Sequence, residues 1–178
     1  MADLPISLRE SAVLVPVFRD AAGEVQVVLV RRGKHGVHGG QLAFPGGKRD
    51  PGDLSLLATA LRETAEEIGL DAASIQVLAE LPAIQTRTTG FHIAPFLARI
   101  VPPAAWQFAE PEIAEVLCVS LRHLADPTAV VHEQWQLPGW PHSELVSFWQ
   151  VGAYPLWGAS YRILQSLLPR LLAGEWAI

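Results

Sequence analysis

Nine consecutive residues, Arg62-Glu63-Thr64-Ala65-Glu66-Glu67-Ile68-Gly69-Leu70, constrain this chain more than any other stretch. They place three carboxylates within five positions, at the end of a segment with helical spacing. Glu63 and Glu67 are four apart, Glu63 and Glu66 three apart, and Arg62 and Glu66 four apart, so these side chains share a helix face. Leu54, Leu57, Ala58, Leu61, Ala65 and Ile68 recur at three- and four-residue steps and form an opposing apolar stripe. The pattern predicts a helix from about Leu54 to Ile68, closed by Gly69 as C-cap, with one face on a core and the other dense in negative charge. Like charges at such spacing repel by roughly a few tenths of a kcal/mol per pair. A hard divalent cation such as Mg²⁺, which takes oxygen ligands, relieves that repulsion. For the helix alone, a solvated acidic face carrying an Arg–Glu pair is the competing reading.

The residues before the helix shift the balance. Gln41-Leu42-Ala43-Phe44-Pro45-Gly46-Gly47 is a short apolar run ending in a glycine pair, and Pro51-Gly52 is a turn signal. Asp53, just ahead of the apolar stripe, reads as the helix N-cap. Glycines let backbone approach a ligand closely, and adjacent amides bind phosphate. Strand, glycine turn, loop, helix and clustered glutamates together make a candidate phosphate-and-metal site around Gly46, Gly47, Glu63, Glu66 and Glu67.

Gly47 through Leu70 resembles a Nudix box, the signature of hydrolases that cleave nucleoside diphosphates linked to another group. The second half of the pattern, Arg-Glu-apolar-x-Glu-Glu-x-Gly-apolar, is matched from Arg62 to Leu70 apart from Thr64 at an apolar position. In the first half Asp53 stands where the pattern has Glu, eight residues before Arg62 instead of seven. That arrangement is similar to the coenzyme A pyrophosphatase-like branch. Val27–Arg31 with Gly40–Gly47 resembles the branch's upstream coenzyme A motif. Leu81-Pro82, Thr89–Pro95, Glu112–Val116 and Leu156–Leu164 also fit, so the likeness covers roughly residues 11 to 170. Two positions depart: Gly36 replaces the motif's Arg, and Arg32 stands where Ser or Ala is usual.

The resemblance implies an α/β fold, a Nudix-type α/β/α sandwich with a mixed β-sheet. It implies one domain over residues 1–178, with a flexible or peripheral N-terminal extension of about ten residues. It also implies a Mg²⁺ (or Mn²⁺) pyrophosphohydrolase acting on coenzyme A or its derivatives, releasing 3′,5′-ADP and 4′-phosphopantetheine. Nucleoside di- or triphosphates and dinucleotides are the alternative substrates, and a non-catalytic nucleotide-binding module is a third reading. Glu63, Glu66 and Glu67 would hold the metal, with a backbone carbonyl near Gly47. Arg62 would orient a glutamate, and Glu112 or Glu115 is the candidate base. Arg31, Arg32, Lys34, Gly46, Gly47, Arg87 and Phe91 are the candidate substrate contacts. For Arg87 and Phe91 the chemistry is a guanidinium suited to phosphate and a ring suited to stacking; an aromatic plug in an exposed loop is the alternative.

Composition excludes several other classes. The chain of 178 residues carries a formal net charge of −5, which argues against general nucleic-acid binding. No run of about eighteen apolar residues predicts a membrane span, and Met1–Pro5 lacks a signal-peptide pattern. Cys118 is the only cysteine and, set in Val116-Leu117-Cys118-Val119, reads as a buried inert thiol. These features fit a cytoplasmic protein. The six histidines, including His35, His38 and His92, show no zinc spacing. Trp135, Trp140, Trp149 and Trp157 read as core and loop anchors or as the surface of a homodimer. Strands are predicted at Ser11–Phe18, Val25–Arg31, Ile75–Leu81, Ile93–Val101, Ile113–Val119, Ala129–Gln136 and Leu145–Gln150. A short helical turn is predicted near Leu121–Leu124, and a last helix from about Trp157 to Leu172, with Pro169 kinking or dividing it.

Overall fold

The computed structural model describes residues 9–34, 39–86 and 90–178. Its larger sheet is built around β1 (Arg9–Arg19), β2 (Val25–Arg32), β3 (Leu42–Ala43), β4 (Gly46–Lys48), β5 (Ile75–Glu80), β6 (Ile84–Gln85), β7 (Phe91–Ile100) and β8 (Ile113–Ser120). The strands β3, β2, β1, β7 and β5 lie side by side, while β4 pairs with β1, β6 with β7 and β8 with β2. β1 and β7 run parallel from Arg9↔Phe91 to Val17↔Arg99, and the other pairings of this sheet among the described residues are antiparallel, so the sheet is mixed. The β1–β2 hairpin turns where the sequence places it. Asp20 Oδ1 accepts from the backbone amides of Ala22 and Glu24, and Gly23 N–H donates to Asp20 O.

β1 and β2 read as near-continuous apolar runs because both of their faces are covered. Ala12 and Leu14 of β1 face α1 (Leu56–Ile68), joined by Ala60, Ala94 and Phe96. Val15 and Val17 face the opposite way, into a larger core that includes α2 (Leu121–Ala125) and α3 (Gly158–Leu172). A second sheet of β9 (Val130–Trp135), β10 (Glu144–Val151) and β11 (Tyr154–Leu156) adds Trp149, Val151 and Leu156 to that core. β11 has no counterpart among the sequence-predicted strands, since three residues give no period to read.

Two helices differ from their predicted form. α1 does not start at Leu54, which is 95 % exposed; Ser55 is its N-cap, accepting from Ala58 N–H. The deeply buried face is Thr59, Ala60, Thr64, Glu67 and Ile68; of the predicted stripe Ile68 is fully buried, Leu57, Ala58 and Leu61 are half-buried, and Ala65 is exposed. The threonines sit in the core because their hydroxyls are satisfied locally. Thr64 Oγ1 donates to Ala60 O at 2.7 Å and Thr59 Oγ1 to Asp53 Oδ2 at 2.9 Å. Thr64 thus occupies the apolar position of the Nudix pattern without an unpaired polar atom. α3 runs undivided through Pro169. Ile163, Leu164, Leu167, Leu168 and Leu171 are buried, each stabilising by roughly 1.5–3 kcal/mol. Together they exceed the ~3 kcal/mol a helix-interior proline costs. Leu172, predicted in the same stripe, is 55 % exposed.

Candidate active site

The glycine turn and the C-terminal half of α1 meet because β4 and α1 both pack beside β1. Gly46 has φ +149°, and a Cβ there would lie 2.3 Å from Ala12 O, so only glycine fits. Its amide donates to Glu67 Oε2 at 2.9 Å. Gly47 lies against the Glu63 carboxylate: a Cβ at that position would come within 2.4–2.6 Å of the carboxyl atoms. Glycine at 47 therefore lets the Glu63 carboxylate approach the strand, while glycine at 46 lets the turn that carries the Glu67-binding amide pack against β1.

Arg62 is the hub of a second network. Its Nε and Nη2 donate to the two oxygens of Asp53 at 3.0 and 2.9 Å, and its Nη1 donates to Glu63 Oε1 at 2.9 Å and Glu66 Oε2 at 3.1 Å. Nη2 also reaches Lys48 O at 3.2 Å. The guanidinium hydrogen bonds hold the Asp53 carboxyl well below the usual carboxylate range, and Asp53 in turn raises Arg62. Asp53 is therefore Arg62's main anchor rather than the N-cap, a role one residue pair nine positions apart does not announce.

The two site glutamates behave in the opposite way. Glu67 is 2 % exposed, and burial pushes its carboxyl up to about 7, against the Gly46 hydrogen bond and the charge of Arg32. The charges of Glu63 and Glu112 add to the rise. Burial also raises Glu63, with Arg62 opposing and Glu66 and Glu112 adding. Each uses one oxygen on the protein, Glu67 Oε2 on Gly46 and Glu63 Oε1 on Arg62. The second oxygen of each accepts no protein hydrogen bond among the described residues. None of the described buried side-chain polar atoms is left without a partner.

The other sequence candidates divide. Arg32 and Glu112 join the cluster, 3.7 Å from each other, and the Gly33 amide fixes the Glu112 backbone at 2.6 Å. Glu66 is 60 % exposed and turned to Arg62. Arg31 donates to Glu115 Oε2 at 3.1 Å and stacks on Tyr154 at 4.8 Å, which commits both members of that pair elsewhere. Lys34 is exposed. Phe91 opens β7, across β1 from β4, with the Arg9 guanidinium and Lys48 Nζ beside its ring. Arg87, His35, His38 and Gly36 lie outside the described residues. Cys118 is exposed on β8, not buried as expected, because Val119 takes the inward position of the two-residue alternation. Partial desolvation still raises its thiol, with Trp106 as neighbour. Sequence reasoning gave no part to Lys48, Arg9 or Arg49, which only strand register brings together.

No described helix is long and apolar enough to cross a membrane. Among relatives, the Salmonella dublin protein named "Uncharacterized Nudix hydrolase NudL" is 32 % identical over 168 residues, covering 94 % of this chain and 85 % of that protein. A Nudix hydrolase from M. smegmatis, RenU, superposes with a TM-score of 0.65 at 19 % identity, over 96 % of this chain and 89 % of that one. The NUDIX domain of Shewanella oneidensis NrtR, solved with ADP ribose, gives 0.51 at 21 % identity over 66 % of this chain and 76 % of that one. Residues 8–139 match the NUDIX domain pattern, and with the NudL likeness this makes the chain a member of the Nudix hydrolase family, enzymes that cleave phosphoanhydride bonds.

Proposed function

We propose that this chain is a divalent-cation-dependent pyrophosphohydrolase working at the Gly46–Gly47 turn with Glu63 and Glu67. Its proposed substrate is a nucleotide joined through a diphosphate to a second group, with coenzyme A and its derivatives first. One observation carries this reading: Glu67 is a carboxyl 2 % exposed, raised to about 7, with a free oxygen beside Glu63. Burying a carboxylate near other acids costs stability unless a positive partner arrives. The donor set is all carboxylate oxygen, which suits Mg²⁺ or Mn²⁺. Glu63 and Glu67 would hold the ion. Glu66 is engaged by Arg62, and among the described residues no three acidic or imidazole side chains already converge on one point.

When bound, the cation supplies an acidified water and neutralises charge on the phosphoryl oxygens. The chain's own residues do the positioning. The Gly46 amide fixes Glu67 Oε2, and Arg62 fixes Glu63 Oε1, so each carboxylate presents its other oxygen without a rotameric search. Asp53 keeps Arg62 charged and in place. Glu112 is the favoured proton acceptor, since Glu115 is held by Arg31. The upstream coenzyme A motif supports the substrate choice.

The test is product release with Mg²⁺ from coenzyme A, acetyl-coenzyme A, ADP-ribose, NADH, diadenosine polyphosphates and nucleoside di- and triphosphates, with Glu67→Gln as blank. Dominant release of 4′-phosphopantetheine from coenzyme A is the expected result. Preference for a plain nucleotide would reject the coenzyme A assignment, and silence across the panel would reject the hydrolase reading.

A further inference from the structure

Arg31 and Arg32 are neighbours in β2 but serve opposite sides of the sheet. Val27 and Leu29 face the α3 core, and Arg31 follows them and stacks on Tyr154. Val28 and Val30 face the other way and pack with Ile68, Leu70 and Ile113, so Arg32 leaves β2 on the side where α1 ends. A β-bulge in β8 completes the approach. Arg31 pairs with Glu115 and Arg32 with Ile113, so Ala114 is passed over and Ile113 turns to the α1 side. Glu112, the residue before it, thereby comes beside Arg32.

The main chain here is fixed, whereas the side chain is not. The Arg32 amide donates to Gln41 O at 3.0 Å, and the Gly40 amide donates to the carbonyls of Arg32 and Gly33, each at 3.1 Å. The Gly33 amide donates to Glu112 O, and a Cβ on Gly33 would lie 1.9 Å from Pro111 O, so only glycine admits this contact. The Ala109 amide donates to Glu67 O at 3.0 Å and the Ile113 amide to Ala109 O at 2.9 Å, which ties the same segment to α1. The Arg32 guanidinium, by contrast, meets Glu112 at 3.7 Å, an ion pair too long for a hydrogen bond. Its charge also reaches Glu67 and opposes the effect of burial there. Arg62, on the other side of the acids, is latched to Asp53 at 2.9 Å. Arg32 is thus a loosely held cation among rigidly placed acids, with 34 % of its side chain exposed.

We infer that Arg32 is a resident countercharge: its guanidinium balances Glu67 and Glu112, competes with a divalent ion for them, and turns to the substrate's phosphates once displaced. That the displaced guanidinium meets a substrate rests on the hydrolase reading; the competition needs only a divalent ion bound at Glu67. Calorimetry with Mn²⁺, without nucleotide, would compare the wild-type chain with Arg32→Gln and Arg32→Lys, with Glu67→Gln marking binding at this site. The backbone bonds of residue 32 survive both exchanges, and thermal melts confirm the fold. Losing a structural support weakens ion binding, whereas losing a competing charge strengthens it. Arg32→Gln should therefore bind Mn²⁺ about tenfold more tightly and Arg32→Lys about as the wild type does, and the gap should narrow as salt is raised. With Mn²⁺ saturating, the order reverses for ADP, which Arg32→Gln should bind about tenfold more weakly for want of a charge-assisted hydrogen bond to phosphate. Mn²⁺ affinity of folded Arg32→Gln at or below the wild-type value overturns the inference, as does Mn²⁺ binding that Glu67→Gln leaves unchanged. Undiminished ADP binding by Arg32→Gln overturns the turn to phosphate. Tighter Mn²⁺ binding by Arg32→Gln in a chain that leaves every nucleotide intact would reject the hydrolase reading and keep the countercharge. Nucleotide turnover with Mn²⁺ affinity indifferent to residue 32 would do the reverse.

Discussion

Asp53 and Glu67 both serve α1, and both side chains are nearly shut off from solvent, Asp53 at 8 % and Glu67 at 2 % exposure. Their carboxyls nevertheless move in opposite directions. Asp53 is held below the usual range because Arg62 gives it two hydrogen bonds. Glu67 is pushed up to about 7 because burial and two neighbouring acids outweigh one amide and the more distant Arg32. Burial alone does not set the sign; the countercharge does. The Asp53–Arg62 end is a closed circuit that fixes geometry, whereas the Glu63–Glu67 end is left short of positive charge. An enzyme that recruits a cation needs that second condition, and the first to keep the acids in place.

The most direct way to break the comparison is Glu67→Gln. On the proposed reading turnover falls about a hundredfold or more, while the fold persists because the glutamine is nearly isosteric. Steady-state rates with Mg²⁺, beside a thermal melt, check it. Near-normal turnover in a folded variant would mean that the open end does no chemistry.

The pH dependence of stability sharpens the contrast. Glu67's folded value of about 7 stands above 4.5, so the folded form binds this proton more tightly than the unfolded chain. Its contribution is fully present below about 4.5, is lost as pH rises to about 7, and is flat beyond. The difference corresponds to ~3 kcal/mol. Asp53 has the opposite sign, adding stability above the ordinary carboxylate range and losing it in acid. Denaturant midpoints of the cation-free protein at pH 5 and pH 8 should differ accordingly, and Glu67→Gln should remove most of that difference. An undiminished slope in the variant assigns the titration to another group.

Asp53→Asn tests the closed end. Arg62 then loses its charged anchor but keeps Glu63, so turnover should fall by about tenfold, mostly in kcat, with Mg²⁺ dependence intact. A loss equal to that of Glu67→Gln would erase the distinction between the two ends.

How much of this could be read in advance depends on what carried the signal. The strands Val25–Arg32 and Ile113–Ser120, the Asp20–Gly23 turn and the Gly69 C-cap follow local rules of period and turn chemistry, and all appear near their predicted bounds. The Glu63 and Glu67 cluster and the glycine turn were legible because helical spacing and a glycine pair are sequence-local. The buried face of α1 was not. Thr59 and Thr64 look polar until their hydroxyls find backbone or Asp53 oxygens, and Glu67 looks solvated until Gly46 supplies its amide. Asp53 resembled a cap because caps and ion-pair anchors use the same residue type. The Arg9, Lys48 and Phe91 assembly depends on cross-strand register between residues far apart in sequence, which no local pattern encodes.

Cys118→Ser carries the smallest expected effect and tests whether a raised pKa by itself marks function. Burial raises the thiol as it raises Glu67, yet Cys118 has neither a clustered charge nor a glycine turn. A thiol raised in this way stays protonated near neutrality and is a poor nucleophile. The exchange adds no volume to an exposed strand position, so stability should stay within about 0.5 kcal/mol and kcat within about twofold. Rates and melts of the variant, measured beside Glu67→Gln, read both quantities. Lost turnover at unchanged stability would show that desolvation alone, without the cluster of acids, had picked out a working group, and the contrast between the two ends of α1 would then lose its meaning.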